Sequence, residues 1–127
     1  MQKQINAVKQ FHDVFKINYS DNLLDNLGEK HNKLRFELMK EENEEYLQAV
    51  QNKDIVEIAD ALGDMLYILC GTILEHGLQY KIEAVFDEIH RSNMSKLGND
   101  GAPIYREDGK VIKGPNYFRP NLVPILK

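Results

Sequence analysis

No proline precedes Pro103, and Pro103, Pro115, Pro120 and Pro124 all lie in the last quarter of the chain. Because proline breaks helices and redirects the residue before it, roughly the first 98 residues are free to be helical and the rest are not. Apolar residues follow that division. Ile5, Val8, Phe11, His12 and Phe15 recur at steps of three and four, which predicts an amphipathic helix ending near Asn18. A loop rich in Asn and Asp follows and closes at Gly28, a second helix runs from about Glu29 to Gln51, and Asn52-Lys53-Asp54 makes a turn. Asp54 is a good N-cap for a third helix reaching about His76, with Gly77 as its C-cap. A fourth covers about Gln79 to Leu97, before Gly98. In the tail, Ile104 to Glu107 and Lys110 to Ile112 flank Asp108-Gly109, the pattern of a short β-hairpin. The expectation is an all-α, four-helix-bundle-like core over about 1–98 with an irregular tail over about 99–127, in one domain of 127 residues.

At 43% hydrophobic and 28% charged, the chain has the apolar material for a packed core, which excludes bulk disorder. A net charge of −4 argues against binding to nucleic acid or an anionic membrane. The lone Cys70 cannot form an internal disulfide, the N-terminus lacks a signal-peptide apolar stretch, and Asp60 and Asp64 interrupt the longest apolar run. A cytoplasmic protein is expected. The modest total hides an uneven distribution. Residues 37–64 hold nine acids against Lys40 and Lys53, a net −7, whereas residues from Arg91 onward carry +4. That arrangement suits cations held beside an anionic ligand, and it equally suits simple internal neutralisation.

The acids are not spread at random around their helices. With Leu34 at zero on a 100° wheel, Leu38 falls near 40° and Ala49 near 60°, so the apolar face of the second helix centres near 80°. Glu42 lies at about 80° and Glu45 at about 20°, Glu41 is on the border, and Glu44 at about −80° points away. Between Ile55 and Leu74 nearly every residue is apolar or small except Glu57, Asp60, Asp64 and Thr72, so the third helix is expected to be buried almost all round. Glu57, Asp60 and Asp64 form one stripe about 60° wide, without a lysine to relieve their repulsion. Ionised carboxylates on buried faces require protons, cationic partners or a metal. Hard oxygen donors without cysteine select Mg²⁺ or Mn²⁺. A di-iron bundle would need two Glu-x-x-His pairs, and the nearest approach is Asp87 with His90, once. His12, His31, His76 and His90 are scattered, and a surface or half-buried position is expected for each.

Glu41-Glu42-Asn43-Glu44-Glu45 followed by Glu57-Ile58-Ala59-Asp60 resembles the EExxE and ExxD signature of the all-alpha nucleoside triphosphate pyrophosphohydrolases, the MazG-like superfamily. That group includes dimeric dUTPases and phosphoribosyl-ATP pyrophosphohydrolases. The resemblance covers roughly residues 30–98, and the tail HRSNMSKLGNDGAPIYREDGKVIKGPNYF resembles a subgroup labelled phosphoribosyl-ATP pyrophosphohydrolase-like. The resemblance implies Glu42, Glu45, Glu57 and Asp60 as metal ligands and catalytic residues, with Glu41 in a supporting catalytic role. Asp64, one turn beyond Asp60, is either a further ligand or an acceptor behind the ligands. Asn93 and Lys96, with Arg91 beside them, resemble the family's phosphate-binding positions, and Arg106, Lys110 and Lys113 of the tail are added as candidates on charge alone.

The resemblance implies a Mg²⁺-dependent enzyme that hydrolyses a nucleoside triphosphate to monophosphate and pyrophosphate by water attack between the α and β phosphates. Phosphoribosyl-ATP pyrophosphohydrolase of histidine biosynthesis is one alternative. A non-catalytic helical interaction module, whose acidic stripe meets a basic partner, is the other. A third helix this apolar also predicts a homodimer or homotetramer, in which the tail of one subunit closes the site of another. Phe11, Phe15, Tyr46, Tyr67, Tyr105, Tyr117 and Phe118 each suit either base stacking or core filling.

Overall fold

A computed structural model describes residues 1–127. It is all-α: five helices, α1 (Gln2–Phe15), α2 (Glu29–Gln51), α3 (Ile55–Glu75), α4 (Ile82–Met94) and α5 (Val123–Leu126), with no sheet. None is long and apolar enough to cross a membrane. The chain forms two compact units, Met1–Tyr80 and Lys81–Lys127.

In the first unit α1 and α2 both pack on α3. Helix α1 stops three residues before the expected Asn18 because Lys16 adopts a left-handed conformation, φ 57°, and the Ile17 amide donates back to the His12 carbonyl. The α2–α3 turn is as the sequence predicts. Lys53 takes φ 53° and the Asp54 carboxylate accepts from the amides of Val56 and Glu57 at 2.9 and 3.2 Å, capping α3. At the other end Gly77 takes φ 72°. The loop after α1 is pinned to that end, with the Ser20 amide donating to Leu74 O at 3.1 Å and His76 Nδ1 donating to Leu24 O at 2.6 Å. The core comprises Ile5 and Val8 of α1, Ala49 of α2, and Ala61, Cys70, Ile73 and Leu74 of α3.

Helix α3 is not buried all round. Its last turns, from Cys70 to Glu75, are covered, but Ile55 and Val56 are each 74% exposed, and Leu62, Leu66, Tyr67 and Leu69 are exposed as well. Two neighbouring helices cover only part of a cylinder, and within one chain the rest of this apolar surface faces water. The same holds on α2, where Leu34 is exposed and Leu38 half-buried.

In the second unit α4 is shorter at both ends than the expected Gln79–Leu97, since residues 79–81 form a turn and the chain leaves the helix after Met94. The tail runs back along it. Ser92 Oγ donates to Phe118 O at 2.8 Å, the Phe118 amide donates to Ser95 Oγ at 3.1 Å, and the Asn121 amide donates to Glu88 Oε1 at 2.8 Å. The expected hairpin is present as a tight turn with a single antiparallel bridge, Tyr105 to Val111, too short for strands. One further turn of helix, α5, occurs where the tail was expected to be non-helical, because Pro124 stands in its first turn, where its missing N–H costs nothing.

Candidate active site

Helices α2 and α3 run antiparallel on either side of the Asn52–Asp54 turn, so the acids of one face those of the other. Ligand atoms of Glu42, Glu45 and Asp64 all lie within 4.8 Å of one another. Glu42 and Asp64 are half-buried, Glu45 is exposed, and Glu42 Oε2 is a buried oxygen without a hydrogen-bond donor. Burial pushes the Glu42 carboxyl up to about 7, helped by the hydrogen bond that its protonated form donates to Glu45 and by the charges of Glu45, Asp64 and Asp60. A site that forces a carboxyl to keep its proton near neutrality, and leaves an oxygen unsatisfied, has the character of a cation site. All its donors are hard oxygens, which fit Mg²⁺ or Mn²⁺.

The structure therefore brings together two acids of the first motif with Asp64, which stands outside the two-part signature. Glu57 and Asp60 are exposed on the next turns of α3. Glu57 Oε2 accepts from Asn52 Nδ2 at 3.2 Å, while Asp60 is near enough for its charge to act on Glu42. Glu41 and Glu44 are exposed. Among the expected phosphate-binding residues, Arg91 makes two 2.9 Å hydrogen bonds to Glu88 and lies 4.3 Å from the Phe118 ring centroid, and Arg106 pairs with Asp108. Both are engaged within their own unit. Lys113 lies 4.8 Å from the Tyr117 ring centroid, Lys96 is half-buried, and Asn93 and Lys110 are exposed.

A second polar cluster was missed from the sequence. At the far end of the α2–α3 pair Glu75, only 4% exposed, pairs with Arg35 Nη1 at 2.9 Å and with His31 Nε2. Arg35 also donates to Thr72 Oγ1 at 3.1 Å and Ile68 O at 2.8 Å. Gly71 makes room for the guanidinium, since a Cβ there would stand 2.7 Å from Arg35 Nη2. His12, expected at or near the surface, is 3% exposed, and burial lowers its pKa despite the nearby Glu75 charge. The available signal was Arg35, near 100° on the α2 wheel, and so on the apolar face.

The family model described as phosphoribosyl-ATP pyrophosphohydrolase matches residues 8–93, which span α1 to α4 and every acid of the site. No curated protein matches the sequence at a significant level. Two thirds of the chain, including both acidic motifs in their predicted helices, thus follow one family pattern, and the chain belongs to the phosphoribosyl-ATP pyrophosphohydrolase family.

Proposed function

We propose that this protein is a divalent-metal-dependent pyrophosphohydrolase that cleaves the α–β phosphoanhydride of phosphoribosyl-ATP. The observation that carries the reading is the convergence of Glu42, Glu45 and Asp64 within 4.8 Å in a chain of this family. In the reaction a water oxygen bonds to the α-phosphorus and gives up its proton to solvent, the bridging bond to the β-phosphate breaks, and pyrophosphate leaves with that electron pair. Glu42, Glu45 and Asp64 would hold Mg²⁺, with Asp60 and Glu57 as further ligands on α3, and Glu41 would orient water beside them. A bound divalent ion supplies charge neutralisation on the phosphates and lowers the pKa of water. The carboxylates alone would repel a triphosphate, so binding requires the cation. Lys96 and Asn93, then Lys110 and Lys113, are the remaining candidates for the phosphates, because Arg91 and Arg106 are already paired.

A second reading, hydrolysis of other nucleoside triphosphates, rests on the tail. The family match ends at residue 93, so the segment tied along α4 by Ser92, Ser95 and Glu88 lies beyond it. We further infer a homodimer or homotetramer, supported by the exposed apolar surface of α3, and a cytoplasmic location, supported by a single free, buried cysteine. Pyrophosphate release from phosphoribosyl-ATP and from a panel of nucleoside triphosphates tests the two substrate readings. Turnover of phosphoribosyl-ATP above the panel supports the first, and the reverse order supports the second.

A further inference from the structure

Asn52, Lys53 and Asp54 join α2 to α3, and two of these three turn residues hold the same acid. Asp54 Oδ1 accepts from the Glu57 amide at 3.2 Å while it caps α3, and Asn52 Nδ2 donates to Glu57 Oε2 at 3.2 Å. Backbone and side chain of Glu57 are thus both fixed from one turn. Asn52 is itself held, because Gln48 Nε2, one helical turn earlier, donates to its Oδ1 at 3.1 Å. Chemistry sets the direction of this short relay. A carboxylate only accepts, so the Asn52 amide must present its NH₂ group to Glu57, and its oxygen then remains for the Gln48 donor.

The relay also places Glu57 on a particular side. Asn52 keeps helical backbone angles, φ −76° and ψ −9°, at the end of α2. It follows Glu45 by seven residues, which on a helix is about 20° short of two full turns, so the face of α2 that carries Glu45 also carries Asn52. The bond to Asn52 draws the Glu57 side chain back across the turn toward that face. It engages Oε2 and leaves Oε1 available as an acceptor. The donor is neutral, and no cationic side chain pairs with Glu57, so its geometry is restrained while its charge stays uncompensated. A lysine or arginine at position 52 would compete with a bound cation, whereas an amide orients the carboxylate and does not. An exposed glutamate without such a tether loses more side-chain entropy when a cation orders it.

We propose that Asn52 is a positioning residue for the metal centre, acting through Glu57 and itself steadied by Gln48. The proposal rests on the metal-dependent reading of the acids and adds to it a residue outside both acidic motifs.

The test uses the full chain and Mn²⁺ alone as the probe, with affinity measured by calorimetry in four proteins: wild type, Asn52→Ala, Glu57→Ala and the double variant. Gln48, Asn52 and Glu57 are all exposed, so the metal-free denaturation midpoint of Asn52→Ala should stay close to that of the wild type. Its Mn²⁺ affinity should nevertheless fall about tenfold or more, the scale set by other residues that orient metal ligands. In the Glu57→Ala background the same substitution should change affinity little, because the group it orients is gone. Unchanged affinity in Asn52→Ala overturns the proposal. So does an equal loss in both backgrounds, or a loss that tracks a lowered metal-free midpoint, since either gives Asn52 a structural role only. Absence of Mn²⁺ binding by the wild type overturns it together with the metal reading of the acids. The expected cycle without pyrophosphate release from phosphoribosyl-ATP upholds the role of Asn52 and removes only the assigned reaction.

Discussion

Glu42 on α2 and Asp64 on α3 place carboxylate oxygens within 4.8 Å of each other across the helix pair, and no cationic side chain pairs with either. Two like charges so close on half-buried positions cost stability, and the proposed divalent ion would relieve that repulsion.

Stability should therefore depend on pH in a particular direction. The folded-state pKa of Glu42 is raised from an ordinary 4.5 to about 7, so between those values the folded chain holds a proton that the unfolded chain has released. The stabilisation by that proton is full below pH 4.5 and lost as pH rises through 7. In metal-free buffer the Glu42 contribution should fall over that window, and Glu42→Gln should flatten it while raising stability at pH 8. Denaturant titrations of both proteins across the window measure this.

Added Mg²⁺ or Mn²⁺ competes with the proton, so metal-linked stabilisation should grow with pH. At a hundredfold excess over Kd it amounts to about 2.7 kcal/mol, and Glu42→Ala or Asp64→Ala should remove most of it. Thermal melts at pH 5 and 8, with and without metal, separate this account from an acidic stripe that only meets a protein partner, for which metal leaves the melts unchanged.

The Asp54 cap ties stability to the site, because it fixes the first turn of α3, where Glu57 stands. Asp54→Ala should cost about 1 kcal/mol, read as a lower denaturation midpoint with an unchanged slope.

Arg35→Ala should be far more damaging, about 3–5 kcal/mol, because it strands the buried Glu75 carboxylate. Replacing both, as Arg35→Met with Glu75→Leu, should recover much of that loss. Unfolding curves of the single and double variants form the cycle that measures it.

The sequence made much of this legible, and particular residues show why. Helices α2 and α3 were readable to within a residue or two because Gly28, Asp54 and Gly77 punctuate them, and the EExxE and ExxD spacing led to the family that the match over residues 8–93 establishes. The ends of α1 and α4 were not, since Lys16 leaves the helix by a backbone conformation no side chain announces, and Leu78 to Lys81 lack a breaker. Composition suggested that α3 is buried all round, whereas burial depends on how many neighbours arrive. The Glu75, Arg35 and His31 cluster depends on contacts between residues distant in sequence, which periodicity does not report.

The exposed Ile55, Val56, Leu62 and Leu66 should be covered by a second copy of the chain. Sedimentation equilibrium should give a dimer or tetramer, and Val56→Asp with Leu62→Asp should shift it toward monomer. A wild-type monomer at micromolar concentration contradicts this.

The central claim is that the converging acids of α2 and α3 form a metal-dependent pyrophosphohydrolase site. Pyrophosphate release from phosphoribosyl-ATP in Mg²⁺, by the wild type and by Glu42→Ala and Asp60→Ala, tests it most directly. The account predicts turnover by the wild type that chelation abolishes, and a loss of at least about a hundredfold in each variant. Turnover retained in both variants, or none by the wild type on phosphoribosyl-ATP or any nucleoside triphosphate, would contradict it.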